Sequence, residues 1–200
     1  MGINYDRVLE DRSLLRGADP DAPRRGAIEA LRTTFGFLAG QVALMVRGHW
    51  YRFGYACVNF GTPVSLRQWL AARGEGDLRR LDKDARFQRV DALARDLMAA
   101  VGGVVPVLPV SLVAGIFARA PERRWSEPDI KAEAVRLMRV FESSGAHVYV
   151  PRTDHDYAIA VGLRMLTLRH LVVAEGGLYS AAPGELPLLR YYANAIAQLL

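Results

Sequence analysis

The 200-residue chain is 51% hydrophobic and 24% charged, so it is neither disordered nor fibrous, and it can bury a core without help from metals or disulfides. Its single cysteine, Cys57, excludes an intramolecular disulfide, and with only four histidines a zinc-finger framework is excluded too. The net charge is 26 − 21 = +5, and all basic residues except Lys83 and Lys131 are arginines, which suit bidentate phosphate contacts but also follow from a GC-rich genome.

The N-terminus has no basic region leading into an apolar stretch, so no secretory signal is expected. Gly2-Ile3-Asn4-Tyr5 reads as a strand end that runs into a loop, and residues 17–26 read as a Gly, Asp and Pro-rich loop. From Ala27 the pattern becomes helical, with Ile28, Leu31, Phe35, Leu38, Val42 and Met45 on one stripe and Gly48 at its end. The uncharged run inside it, Thr33 to Val46, is too short to span a bilayer, and its Gly36-x-x-x-Gly40 spacing lacks the apolar context of a membrane helix pair.

Phe53 to Phe60 is β-branched and aromatic and reads as a strand. Trp50, Tyr51, Phe53 and Tyr55 around its start are expected in the core or at its rim, and Cys57 is expected as a small buried hydrophobe. Ser65-Leu66-Arg67-Gln68 matches a capping box and starts a helix. After a charged connection over 72–84, Phe87, Val90, Ala94, Leu97 and Val101 form the next core-facing stripe, with Arg86, Arg89, Asp91, Arg95 and Asp96 on solvated faces.

The second long apolar run, Leu97 to Ala118, has the length of a membrane span but is broken by Gly102, Gly103, Pro106 and Pro109. It is read as a helix end, an extended linker and a buried helix over 111–118. Ser126-Glu127-Pro128-Asp129 caps a helix over 129–144 that Gly145 closes. Thr153-Asp154-His155-Asp156 starts another, over 154–172. Gly176-Gly177 between two extended runs signals a hairpin, and a last helix from about Glu185 carries Leu189, Tyr192, Ile196 and Leu199.

The reading is an α/β piece over 1–104, with few strands, both taken as buried and parallel, followed by a helical piece over 105–200 with a small hairpin. Two strands do not make a stable sheet alone, so either the chain holds more strands than its pattern shows or the sheet's other strands are missing from it.

The chain carries no nucleophile elbow, no phosphate-binding glycine loop and no His-Glu-x-x-His. None of its histidines (His49, His147, His155, His170) is followed five residues later by aspartate, and no two sit at metal-ligand spacing, so no catalytic residue and no metal is assigned. Asp154-His155-Asp156 falls at a helix start, where carboxylates are favoured by capping. The polar cluster Asn4, Tyr5, Asp6, Arg7 and Glu10 follows the first strand, at the kind of place where α/β proteins bind ligands, though capping and surface charge explain it as well.

Three stretches carry a resemblance. Gly2-Ile3-Asn4-Tyr5-Asp6-Arg7-Val8-Leu9-Glu10 resembles the fourth motif block of the membrane-associated glycerol-3-phosphate acyltransferases, an apolar strand followed by Tyr-Asp/Glu-x-Val-x-Glu. Tyr55 to Leu66 is similar to that family's Val-x-Phe-Gly-Glu-Pro-x-Ser-Leu segment, with Thr62 in place of Glu. Leu188 to Ile196 is similar to its Tyr-Tyr-x-Asn-x-Ile stretch.

The resemblance implies a partial glycerolipid-acyltransferase α/β unit and transfer of an acyl group from acyl-CoA or acyl-ACP to glycerol 3-phosphate, giving lysophosphatidate, with no cofactor. It implies Tyr5, Asp6 and Glu10 as residues that line or brace the substrate site. It also implies a peripheral location on the cytoplasmic face of the inner membrane. The family's His-x4-Asp base and phosphate-binding arginine blocks lie upstream of the fourth block and map onto nothing here, so the chain is expected to be a fragment without activity of its own.

Another class of reading comes from the element order over 110–181, which is that of a winged-helix DNA-binding or protein-interaction module. Residues 101–200 net only 10 − 9 = +1, which is not the basic footprint of a DNA reader, so no nucleic-acid partner is expected.

Overall fold

In chain order the computed structural model contains β1 (Gly2–Tyr5), α1 (Asp11–Gly17), β2 (Ala56–Asn59), α2 (Leu66–Ala72), α3 (Lys83–Gly103), α4 (Pro109–Arg119), β3 (Trp125–Ser126), α5 (Glu127–Ser143), α6 (His155–Leu168), β4 (Val172–Glu175), β5 (Leu178–Ala181) and α7 (Leu186–Asn194). Short 3₁₀ turns occupy Pro151–Thr153 and Ala197–Leu199. The residues described are 1–8, 11–17, 35, 54–74 and 81–199. The expected helix from Ala27, its Gly36-x-x-x-Gly40 spacing, and Trp50, Tyr51 and Phe53 lie outside the described residues, Phe35 excepted.

The chain divides into two compact units, one of residues 1–6 and 55–200 and the other of residues 7–54. In the second, α1 lies between the two stretches read as loop. Asp11 in its first turn is buried and accepts a hydrogen bond from the Arg12 amide at 2.7 Å.

The larger unit is built around α4. Every residue of α4 from Pro109 to Phe117 is buried, because α5, α6, α7 and the hairpin strand β5 all pack on it. The sequence permits this: Val110, Leu112, Val113, Ala114, Ile116 and Phe117 leave no polar face. Pro109 sits in its first turn, where a missing N–H costs nothing. The crossing of α6 over α4 is close enough to require glycine. A Cβ on Gly162 would lie 2.5 Å from the Pro109 carbonyl oxygen.

The expected caps form. Ser65 Oγ accepts from the Gln68 amide at 3.4 Å, Ser126 Oγ from the Asp129 amide at 3.3 Å, and Asp154 Oδ1 from the Tyr157 amide at 3.0 Å. The apolar stripes of α5 (Ile130, Ala134, Leu137, Phe141) and α7 (Leu189, Tyr192) face the core. The hairpin forms with Gly176 and Gly177 both at positive φ, and β5 pairs with β4 on one side and β3 on the other, both antiparallel.

Two expectations need correction. β1 and β2 pair antiparallel, Gly2 opposite Asn59 and Tyr5 opposite Ala56, not in parallel, and they are not buried on both faces. Apolar content marked these residues as strands, but it carries no information on direction. The stripe on α3 does not face a core. Phe87 is 73% and Met98 is 68% exposed, and α3 has no buried residue. It is held instead at particular points. Trp69 Nε1 and Arg73 Nη2, from α2 and its end, both donate to Asp96 Oδ2, at 2.7 and 2.6 Å, and Gln198 Nε2 donates to the Gly102 carbonyl at 3.2 Å. No described helix is long and apolar enough to cross a membrane.

Candidate functional site

Asn4 and Asp6, from the expected polar cluster, are buried, and both reach across the chain to the start of α4. Leu108 is the N-cap residue of α4 and has no side chain able to cap it. Asp6 supplies the missing acceptor from more than a hundred residues away. Its Oδ1 accepts from the Val110 amide at 2.9 Å, and its Oδ2 accepts from the Tyr55 amide at 2.9 Å. The Asp6 amide donates in turn to the Tyr55 carbonyl at 2.9 Å. One carboxylate therefore holds the end of β1, the start of β2 and the first turn of α4.

Asn4 completes the latch. Its side-chain amide donates to the Pro106 carbonyl at 2.8 Å and to Ser111 Oγ at 3.1 Å, while its Oδ1 accepts from the Tyr5 amide at 2.8 Å. The backbones meet closely here. A Cβ on Gly2 would lie 2.6 Å from the Val105 nitrogen, and one on Gly61 would lie 2.8 Å from a Val104 methyl.

Burial dominates the electrostatics of Asp6. It pushes the carboxyl up from 3.8 to about 6, against the pull of the Val110 and Tyr55 amides. Cys57, half-buried beside it, has its thiol pushed up by burial and by the negative charge of Asp6, so it is a poor nucleophile.

Tyr5, by contrast, points to the outer face and is 47% exposed. Glu10 lies outside the described residues. The structure thus brings Asn4 and Asp6 together on one side of β1 and leaves Tyr5 on the other, as strand alternation demands.

A second cluster, not foreseen from the sequence, joins β2 to the segment before α6. The Tyr55 ring meets the Tyr149 ring with centroids 5.1 Å apart, and the Arg152 guanidinium lies 4.3 Å from the Tyr157 ring centroid. The Tyr55 hydroxyl is raised from its ordinary value by partial burial and by its hydrogen bond with Tyr157. Arg152 and Thr153 both take positive φ, 59° and 54°, a costly conformation for a β-branched residue. No sequence signal marks this cluster, because its members lie about a hundred residues apart.

The described residues contain no group of three or more His, Cys, Asp or Glu placed to hold a metal. Among them His147, His155 and His170 are exposed, and none is hydrogen-bonded to a carboxylate. Asp154 is occupied as the cap of α6.

Comparison with protein families decides what this arrangement belongs to. The model of the glycerol-3-phosphate acyltransferase C-terminal region matches residues 41–200. The chain belongs to that family. The match contains the Tyr55–Leu66 and Leu188–Ile196 segments, and the Gly2–Glu10 segment lies outside it. No curated protein matches the chain.

Within this family frame the Tyr-Tyr-x-Asn-x-Ile segment has a packing role. Leu189, Tyr192 and Ile196 are buried, α7 packs on α4, and the Arg169 guanidinium lies 5.0 Å from the Tyr192 ring centroid.

Proposed function

We propose that the chain acts as the C-terminal portion of a glycerol-3-phosphate 1-O-acyltransferase. That reaction transfers an acyl group from acyl-CoA or acyl-ACP to glycerol 3-phosphate and feeds phospholipid synthesis. The family match over residues 41–200 is the observation that carries the reading.

Residues 1–104 would end the acyltransferase α/β domain, and residues 105–200 would form an appended winged-helix-like region. The order α4, β3, α5, α6, β4, β5, with sheet order β3-β5-β4, supports that description. In this setting Asp6 and Asn4 brace the motif strand against α4, and Tyr5, on the outer face, lines the substrate side; Glu10 is assigned to the site by the motif alone. Acyl transfer to a hydroxyl needs a base to take its proton as it attacks the thioester carbonyl. No histidine of the chain stands in a His-x4-Asp pair, and on that ground the chain alone is read as an inactive scaffold. The protein works peripherally at the cytoplasmic face of the inner membrane, with no nucleic-acid partner.

The test is acyl transfer by the purified chain, with glycerol 3-phosphate and either acyl-CoA or acyl-ACP. No lysophosphatidate is expected. Turnover above the uncatalysed rate refutes the scaffold reading. Salt-sensitive retention on DNA in place of any effect on an acyltransferase refutes the family-based role altogether.

A further inference from the structure

Three tyrosines and one arginine converge where the start of β2, the segment before α6 and the first turn of α6 meet, and each tyrosine is pinned through its own backbone. The Tyr55 amide is held by Asp6 Oδ2 at 2.9 Å. The Tyr149 amide donates to the Val107 carbonyl at 3.0 Å, and the Val107 amide donates to the His147 carbonyl at 2.8 Å, so Tyr149 is tied to the linker ahead of α4. The Tyr157 amide donates to the Asp154 cap at 3.0 Å. Rings fixed from three separate elements hold their hydroxyls in place before anything binds.

The backbone is strained at the same point. Arg152 takes φ 59° and ψ 15°, and Thr153 takes φ 54°, two consecutive left-handed residues of which neither is glycine. In this conformation the Arg152 guanidinium lies 4.3 Å from the Tyr157 ring centroid. Arg152 is exposed and has no hydrogen-bond or ion-pair partner among the described residues. The neighbouring carboxylates are engaged elsewhere: Asp154 caps α6, and Asp156 faces Lys131 of α5 at 3.9 Å.

The hydroxyls add donors beside this cation. Tyr55 and Tyr157 share a hydrogen bond, which uses one hydroxyl proton and leaves the other. Burial and then that bond raise the Tyr55 hydroxyl above its ordinary value, so it stays protonated at neutral pH, and the opposing pull of Arg152 shows that the guanidinium is close by. Tyr149 brings a third hydroxyl, its ring 5.1 Å from that of Tyr55.

This donor set separates ligand classes. A cation is repelled by the guanidinium that already covers Tyr157. A carboxylate has two oxygens in one plane, which the guanidinium fork alone occupies. A phosphomonoester has three terminal oxygens in a tetrahedral arrangement, enough to take the fork and the two remaining hydroxyl protons together. A phosphodiester has one terminal oxygen and one charge fewer.

We infer that Arg152, Tyr149 and the Tyr55–Tyr157 pair bind the phosphate of a phosphomonoester, either free in solution or on a lipid headgroup. The site stands on this geometry and does not need the acyltransferase reading. The strain at Arg152 and Thr153 is retained because it holds the guanidinium beside the hydroxyls.

The full 200-residue chain is titrated with inorganic phosphate, with glycerol 3-phosphate, and with phosphatidylcholine vesicles that contain phosphatidate. Phosphorus NMR linewidths read the soluble ligands, and vesicle sedimentation reads the lipid. Saturable binding of at least one of these monoesters, millimolar or tighter, is expected. Binding of the soluble pair without the vesicles assigns a free ligand, and binding of the vesicles alone assigns a headgroup. Arg152→Gln is expected to weaken binding about tenfold or more, and Tyr149→Phe to weaken it less, each at an unchanged melting temperature. Arg152→Gly relieves the strain and is expected to abolish binding without lowering the melting temperature, whereas Thr153→Gly relieves strain, keeps every donor and retains binding. Arg139→Gln, at an exposed arginine of α5, serves as control and leaves binding unchanged.

The inference is overturned if no monoester saturates the chain, or if Arg152→Gln binds as well as the parent. Acetate competing as effectively as phosphate overturns it too, as does equal binding of phosphatidylglycerol vesicles, whose phosphate is a diester. Retained binding in Arg152→Gly with a lowered melting temperature makes Arg152 a purely structural link and has the same consequence.

Discussion

Replacing Asp6 by Asn separates two effects that the buried carboxylate combines. At neutral pH the ionised side chain satisfies two buried amides, those of Val110 and Tyr55, but it does so at the expense of a desolvated charge. A carboxyl that titrates at about 6 when folded and 3.8 when unfolded loses roughly 3 kcal/mol of folding free energy on ionising, at ~1.4 kcal/mol per pH unit. Because the folded value is the raised one, this contribution favours folding fully below pH 3.8 and fades as pH rises through about 6. Asparagine carries no charge to desolvate, but it points an amide donor at one of the two N–H groups and leaves that group unpaired, which costs about 1–3 kcal/mol. The two effects nearly cancel at pH 7.5, so Asp6→Asn should unfold within about 1 kcal/mol of the parent there. At pH 4 the parent carboxyl is protonated, but its hydroxyl oxygen still accepts weakly from the second amide where the asparagine nitrogen cannot, so the variant should be weaker by up to about 1–3 kcal/mol. Urea titrations of both proteins at the two pH values measure the gap between them. A gap independent of pH refutes the view that burial governs Asp6. A gap that widens toward high pH shows that the two amides, not desolvation, set its titration.

Other parts of the larger unit can be tested by substitution. Asp6→Ala strands both amides and removes the side-chain acceptor of the Val110 amide in the first turn of α4, so a loss of roughly 2–6 kcal/mol is expected, read as a lower urea midpoint and faster exchange of that amide. Gly162→Ala places a methyl 2.5 Å from the Pro109 carbonyl oxygen, backbone that cannot step aside, and should lower the melting temperature by about 5–10 °C; an unchanged melting temperature means that α4 and α6 do not cross there. Gly2→Ala, with its methyl 2.6 Å from the Val105 nitrogen, should loosen β1 from the linker at a cost of about 2 kcal/mol, while the far hairpin β4–β5 keeps its exchange protection. Asp96→Ala removes the acceptor shared by Trp69 and Arg73, which should red-shift indole emission and cost about 1–2 kcal/mol; unchanged emission would mean that the Trp69 indole is not held by Asp96.

How much of this was legible in the sequence depended on how far apart the interacting residues lie. Ser65, Ser126 and Asp154 announce helix starts because a cap bonds an amide three residues on, within the window that a sequence pattern samples. Gly176-Gly177 announces a hairpin because left-handed turns favour glycine. The cap of α4 could not be read, since its acceptor is Asp6, and nothing near Leu108 points to it. The direction of β1 against β2 was equally unreadable, because a four-residue strand has the same composition in either sense. At the candidate site, the polar residues after the first strand were visible as a cluster. Their division between an inward pair, Asn4 and Asp6, and an outward Tyr5 follows from alternation alone. The tyrosines that meet at Tyr55, Tyr149 and Tyr157 gave no local signal.

Besides the direction of β1 and β2, the α3 stripe is a place where pattern and structure part company, and the disagreement is informative. A helix whose apolar residues fall at spacings of three and four, yet which buries none of them, is held by polar contacts at its flank and C-terminal end: Asp96 with Trp69 and Arg73, and Gly102 with Gln198. Those contacts fix the helix in place without using its apolar side. Exposing Phe87 and Met98 forgoes about 1.5–3 kcal/mol for each side chain relative to burying it. Together with the bare outer face of β1–β2, this leaves two unclaimed apolar surfaces on a unit whose interior, around α4, is otherwise fully packed. A packing defect inside the unit would show as half-filled space around α4, and α4 is buried from Pro109 to Phe117. Among the described residues, the most exposed large apolar side chains of this unit, Phe60, Met98 and Phe87, lie before residue 105, whereas the helices that pack on α4 turn their stripes inward.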